Sequence, residues 1–219
     1  MKELTIREQQ LGVLDILKDV HCFCVKNGIR YSLAYGTLIG AVRHRGFIPW
    51  DNDIDIVMLR QDYDLFINRY ESSEYKVASH IVGKNDCLIA YARVYDPART
   101  IASGANWASF ETGLWIDVFP LDNVPSDQSL FKVFYNSLID GWHWVNRMRC
   151  RYEHLSTVPK SERGRLAAKK VLLLNGAFGS NALDRFMSSI KKYNNLETGF
   201  VSQLTVLDNG PVEHLPCSR

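Results

Sequence analysis

Two periodicities interleave in the first part of the chain and one dominates the second, which predicts an α+β fold. Over residues 1–124 short stretches of strand alternation alternate with amphipathic helical stretches, as expected of a mixed sheet flanked by helices. Over 125–219 the pattern is mostly helical. Composition agrees: 219 residues, 46% hydrophobic and 11% aromatic, carry too much apolar mass for disorder and enough for a well-packed domain with a small appendage.

The elements follow in order. Residues 3–27 predict a helix, with Leu11, Leu14, Leu17 and Cys24 as its apolar stripe and Asn27-Gly28 as its stop. Ile29 to Tyr35 reads as a short strand broken by Gly36, and Thr37 to Arg43 as a short helix. His44 to Trp50 is a loop punctuated by Gly46 and Pro49. Asp53 to Met58 alternates acid with Ile, a strand signature, and Arg60 to Tyr70 returns to helix with Tyr63, Phe66, Ile67 and Tyr70 on one stripe. Glu74–His80, Cys87–Tyr95 and Leu114–Phe119 are expected strands, the last ended by Pro120. Helices are expected over Leu130–Arg151, Arg163–Leu174 and Asn181–Tyr193.

Several function classes find no support. Lys+Arg 26 against Asp+Glu 24 leaves +2, which does not favour nucleic acid as a partner. The longest uncharged run, Val171–Leu183, is 13 residues, short of the roughly 20 that span a bilayer. The polar start MKELTIREQQ lacks the apolar core of a signal peptide, so a cytoplasmic location is expected. The five cysteines read as free thiols, and Cys22-Phe23-Cys24 has no second pair at zinc spacing. No Ser/His/Asp order and no metal-type histidine spacing is present.

The chemistry-bearing stretch is Asp51-Asn52-Asp53-Ile54-Asp55-Ile56. In a strand, Asp53 and Asp55 share one face while Ile54 and Ile56 face the core. Two carboxylates so close repel unless water or a cation lies between them, and oxygen-only donors suit Mg²⁺ or Mn²⁺. A solvated strand edge would show the same pair. Asp117, flanked by apolar residues in Trp115–Phe119, lies on a wet face or points into a cleft. Gly36-Thr37, between strand and helix, suits close approach of a phosphate to unpaired N–H groups, or serves as an ordinary turn and cap.

The order of these pieces resembles the nucleotidyltransferase superfamily. The run from Tyr35 to Asp55 (YGTLIGAVRHRGFIPWDNDID), with Ile116–Asp122 (IDVFPLD), resembles the LicD family of phosphocholine transferases. The resemblance covers about residues 4–125 and implies a nucleotidyltransferase-like core over 1–124, with a helical C-terminal part over 125–219. It implies transfer of a phospho-alcohol, typically phosphocholine, from a CDP-activated donor such as CDP-choline to a hydroxyl of a cell-surface glycan of the lipopolysaccharide or teichoic acid type. On this resemblance Asp53, Asp55 and Asp117 are expected to be catalytic and to bind Mg²⁺ (or Mn²⁺), with Asp117 either a second-metal ligand or the general base. Gly36 and Thr37 carry over as phosphate-loop residues. Asn52, where relatives commonly have Asp, would face away from Asp53.

Arg43, His44 and Arg45 follow the short helix and are candidates for substrate phosphates, or a solvated basic turn; Arg93 is a weaker candidate of the same kind. Trp50, Trp107 and Trp115 lie near the motif blocks, but each serves a core as readily as a choline cage. Family members continue into an aromatic, proline-rich segment beyond this length, so a short or truncated form is expected. The competing readings are nucleotidyl transfer onto a sugar phosphate or small hydroxyl acceptor, and a catalytically silent binding protein. Finally, His143–Lys170 holds eight Lys/Arg and two acids, leaving the rest of the chain at −4. With Trp142 and Trp144 at its start, this stretch is a solvated face or a peripheral contact with an anionic membrane at its inner face.

Overall fold

The computed structural model describes residues 3–79, 87, 89–101, 112–149, 161, 163–165, 167, 181–207 and 214–217; for 140, 144–149, 181 and 182 it describes the backbone alone. The chain divides into two compact units: 1–82 with 91–102 and 111–121, and 83–90 with 103–110 and 122–219.

In the first unit, α1 (Ile6–Asn27) opens on a capping box in which Thr5 Oγ1 accepts from Glu8 N–H and Glu8 accepts from Thr5 N–H. It closes on Gly28, whose φ of 66° only glycine adopts without strain. Its inward stripe is Val13, Ile16, Val20 and Cys24, not the expected Leu11-based one; Leu11 is 45% exposed. The helix is turned so that Gln10 also faces inward, where its Nε2 donates to Asp51 O at 2.8 Å and Ile48 O at 3.3 Å.

Then come β1 (Ser32–Leu33), α2 (Tyr35–His44), β2 (Asp55–Leu59), α3 (Arg60–Arg69), β3 (Lys76–Ser79), β4 (Ala92–Tyr95) and β5 (Trp115–Asn123). The strands lie in the order β1-β2-β5-β4-β3, with β2 and β5 parallel and the other pairs antiparallel. One face of this mixed sheet carries Ile56, Met58, Ala92, Val94, Ile116 and Val118, which pack with the α1 stripe and with Tyr63, Phe66, Ile67 and Tyr70 of the α3 region. That α3 stripe is as the sequence predicts.

Several boundaries differ from expectation. The helix after β1 starts at Tyr35, not Thr37, and takes in Gly36. The Glu74–His80 strand is Lys76–Ser79, and Cys87–Tyr95 is a strand only from Ala92. Pro120 does not end β5 but sits inside it, opposite Met58. Asp117 N–H donates to Ile54 O, so by strand alternation the nitrogen of residue 120 points the other way. There the ladder with β4 has already stopped at Val118, so the missing N–H interrupts neither the β2 nor the β4 ladder.

In the second unit, α4 (Gln128–Arg149) buries Phe131, Phe134, Tyr135, Leu138 and Trp142 along one stripe against Leu183, Phe186, Met187 and Ile190 of α5 (Asn181–Ile190). Asp127 caps α4 by accepting from Leu130 N–H at 2.8 Å. Trp142 is 7% exposed and lies 6.0 Å from Phe186, so it is a core residue rather than a wet-boundary one. Two unexpected strands, β6 (Phe200–Gln203) and β7 (Leu215–Pro216), pair antiparallel, so this part is not wholly helical. The expected helix Arg163–Leu174 and the basic stretch 143–170 lie largely outside the described residues, and Trp107 wholly so.

Candidate active site

The second face of the first unit's sheet carries the functional candidates. Asp55 of β2 stands in register with Asp117 of β5, and Asp117 with Arg93 of β4. Asp53 lies two residues before Asp55, the strand's first residue, while Ile54 and Ile56 are buried on the core side, as strand alternation requires. The sheet thus brings Asp55, Asp117 and Arg93 side by side from three strands.

Arg93 is nearly buried and holds Asp117 through two bonds, Nε to Oδ1 at 2.6 Å and Nη2 to Oδ2 at 3.3 Å. Its Nη2 also donates to Tyr91 Oη at 2.9 Å, and its guanidinium lies 4.6 Å from the centre of the Trp115 ring. Trp115 is therefore engaged by a cation belonging to the chain itself. Tyr91 packs on Phe119 with tilted rings, centres 4.6 Å apart, and Tyr35 meets Phe119 edge-on at 5.8 Å. Tyr35 opens α2 with φ of 46°, a strained conformation for a tyrosine.

The carboxylates crowd one another. Partial desolvation, then a side-chain hydrogen bond with Asp51 and the charges of Asp51 and Asp117, push Asp53, an exposed residue, up to about 6. Burial, then the charges of Asp53, Asp117 and Asp51, push Asp55 up to about 7, with Arg93 opposing. Among the described residues no three acidic, histidine or cysteine side chains are set to hold a metal ion as placed. The oxygen-only donors of Asp53 and Asp55, held close against their own repulsion, nonetheless fit a hard divalent cation, which would relieve that repulsion. Asp117 stands beside them and accepts from Arg93 with both oxygens, each of which keeps a further lone pair.

Gly36 and Thr37 lie in the first turn of α2, where backbone N–H groups have no partner within the helix. Thr37 Oγ1 accepts from Asp55 N–H at 2.9 Å, tying this turn to the acidic strand. A Cβ on Gly36 would meet Asp51 Oδ2 at 2.5 Å, and one on Gly40 would meet Gly46 O at 2.6 Å. The two glycines, one helical turn apart, form the face along which loop 46–51 returns. Gly36 thus seats a carboxylate of the chain. Arg43, His44 and Arg45 are exposed at the other end of α2, and at 1.5 Å per residue Arg43 lies about 10 Å along the axis from Gly36. Asn52 Nδ2 donates to Gln9 Oε1 at 2.5 Å, anchoring the loop to α1 rather than joining the acids. Cys22 is exposed and Cys24 buried, so the two thiols leave α1 on different faces.

Sequence reasoning missed Asp51 and gave Arg93 too little weight. Asp51 extends the alternation of Asp53 and Asp55 backwards by one step, and the Gly36-x-x-x-Gly40 spacing marks a close approach. Arg93 carries no local motif, since only strand pairing sets it opposite Asp117.

An acidic sheet face beside a helix N-terminus, on a mixed sheet with helices behind it, agrees with the nucleotidyltransferase-type core that the sequence resembles. The signature of the LicD/FKTN/FKRP nucleotidyltransferase domain matches residues 28–159, and the chain belongs to that family. The chain is 40% identical over 136 residues to the lipopolysaccharide cholinephosphotransferase LicD of Haemophilus influenzae, covering 59% of this chain and 49% of that protein. It is 34% identical over 87 residues to an uncharacterized protein of Rickettsia prowazekii, covering 37% of this chain and 33% of the other. An uncharacterized protein of Rickettsia typhi is 43% identical over 63 residues, covering 28% of this chain and 20% of its own length. The chain thus spans half or less of the length of these relatives. No solved structure matches it.

Proposed function

We propose that this chain is a CDP-alcohol phosphotransferase that moves a phospho-alcohol, phosphocholine first, from a CDP-activated donor to a hydroxyl of a cell-surface glycan of the lipopolysaccharide or teichoic acid type. The observation that carries this reading is the register of β2, β5 and β4, which lines up Asp55, Asp117 and Arg93 beside Asp53. The similarity to the Haemophilus influenzae cholinephosphotransferase supports the choice of phosphocholine and of lipopolysaccharide.

In this reaction the acceptor oxygen attacks the phosphorus bearing the alcohol, the bond from that phosphorus to the CMP oxygen breaks, and CMP leaves with the electron pair. The acceptor proton passes to a carboxylate of the cluster. Asp53 and Asp55 would hold Mg²⁺ or Mn²⁺, which supplies charge neutralisation for the diphosphate. Arg93 keeps Asp117 fixed beside them, so that the acidic face presents a set geometry to the donor. The first turn of α2 offers N–H groups to a phosphate, and Thr37 fixes that turn against Asp55.

The test is a screen of CDP-choline, CDP-ethanolamine, CDP-glycerol and CDP-ribitol with Mg²⁺ and a lipopolysaccharide acceptor, reading CMP. CMP release that Asp55→Asn abolishes supports the proposal. Pyrophosphate release from a nucleoside triphosphate, with no CMP from any CDP-alcohol, replaces it with nucleotidyl transfer. Binding without either product leaves a silent binding protein.

A further inference from the structure

We infer that the outer face of α2 is a docking surface for an anionic lipid bilayer. Among the described large apolar side chains that remain exposed, four lie on this ten-residue helix: Tyr35 at 42%, Leu38 at 44%, Ile39 at 45% and Val42 at 74%. Their spacing is i, i+3, i+4, i+7, the stripe by which an amphipathic helix normally faces a core, here turned to solvent. The opposite flank is occupied: Gly36 and Gly40 take the returning loop, and Thr37 binds Asp55 N–H. Trp50, on that returning loop, is 75% exposed.

Charge selects the partner. From Tyr35 to Trp50 the chain holds Arg43 and Arg45 and no acid, with His44 between them. All three are exposed at the helix end. An apolar stripe ending in a basic cluster is the chemistry of a helix lying in the headgroup boundary of an anionic membrane. A second copy of the chain would have to bring acids to meet Arg43 and Arg45, and α2 itself has none. This surface is distinct from the basic stretch 143–170, and the inference does not depend on the proposed reaction.

The test is co-sedimentation of the full chain, without donor or metal, with vesicles of phosphatidylcholine alone or of phosphatidylcholine and phosphatidylglycerol in equal parts, at low and high salt. Wild type is expected to bind the anionic vesicles at low salt, to bind less at high salt, and to leave neutral vesicles largely bare. Leu38→Ser with Val42→Ser, and separately Arg43→Gln with Arg45→Asn, should each reduce binding about tenfold or more. Val25→Ser, which removes a 68%-exposed side chain of α1, should bind as wild type. Circular dichroism and melting of each variant check that the fold is kept. The inference is overturned if wild type ignores anionic vesicles at low salt, or if both α2 variants bind as well as wild type. It is also overturned if wild type is a dimer in lipid-free solution that Leu38→Ser with Val42→Ser dissociates, which would make α2 a self-interface.

Discussion

Asp55 has the crowded position among the site residues, and its chemistry separates catalysis from stability. Its carboxylate is half-buried beside Asp53, Asp117 and Asp51, with Arg93 as the counter-charge. Asp55→Asn removes one charge while keeping size and shape. CMP release should fall by at least about a hundredfold, the scale expected when a preorganised charge-stabilising group is lost. In mildly alkaline buffer with chelator, however, the variant should melt no lower than wild type, and higher if repulsion dominates the apo site. A markedly lower melting point would mean that Asp55 holds the sheet together rather than serving a ligand. Arg93 should behave in the opposite way. Arg93→Met leaves Asp117 partly buried without its cation, which costs about 3–5 kcal/mol, to be read in a urea titration.

The hairpin-like return from β4 to β5 sets the register of the site, and Asp96 organises it. Its carboxylate, buried among residues 96–100, accepts from Ala98 N–H at 3.0 Å, Arg99 N–H at 2.9 Å and Thr100 Oγ1 at 2.9 Å. Asp96 N–H donates to Leu114 O, Gly113 N–H donates to Asp96 O, and Leu114 N–H donates to Thr100 Oγ1. Asp117 follows three residues later. Burial works to raise Asp96, but these hydrogen bonds and Arg99 outweigh it and hold the carboxyl below its usual value. The folded pKa lies below the unfolded one, so the contribution is full above about pH 4 and disappears as pH falls through the folded value. Asp96→Asn should cost about 1–3 kcal/mol at neutral pH and progressively less in acid, measured by urea unfolding across a pH series.

At this scale the sequence was readable where a pattern is local. The glycine stop of α1, the Tyr63–Tyr70 stripe and the Ile54/Ile56 alternation are each written within one turn or one strand. The phase of α1 was not, because Leu11 and Val13 fit helical spacing equally and only the contact of Gln10 with loop 46–51 decides between them. Pro120 reads as a stop unless one knows that β4 has ended beside it. The pairing of Arg93 with Asp117 joins residues 24 positions apart and has no local trace.

For the molecule as a whole, a divalent cation that binds only the folded acidic face must raise stability by linkage. At a hundred times its dissociation constant the gain is about 2.7 kcal/mol, so Mg²⁺ or Mn²⁺ should raise the melting point by several degrees, and Asp55→Asn should lose that shift. Stability is also unevenly spread along the chain. The 22-residue α1 is closed at both ends by a capping box and a left-handed glycine. The ten-residue α2 has two glycines, three β-branched residues, no side-chain cap and a strained first residue. Such a helix persists through its neighbours and not through its own propensity. Its amide protons should therefore exchange with solvent deuterium well before those of α1. When α2 opens, the seat of Asp51 on Gly36 and the bond from Asp55 to Thr37 are released in the same event. The first turn of α2 and the acidic strand thus form one cooperative unit, and a ligand bridging them should slow exchange across all of α2 at once.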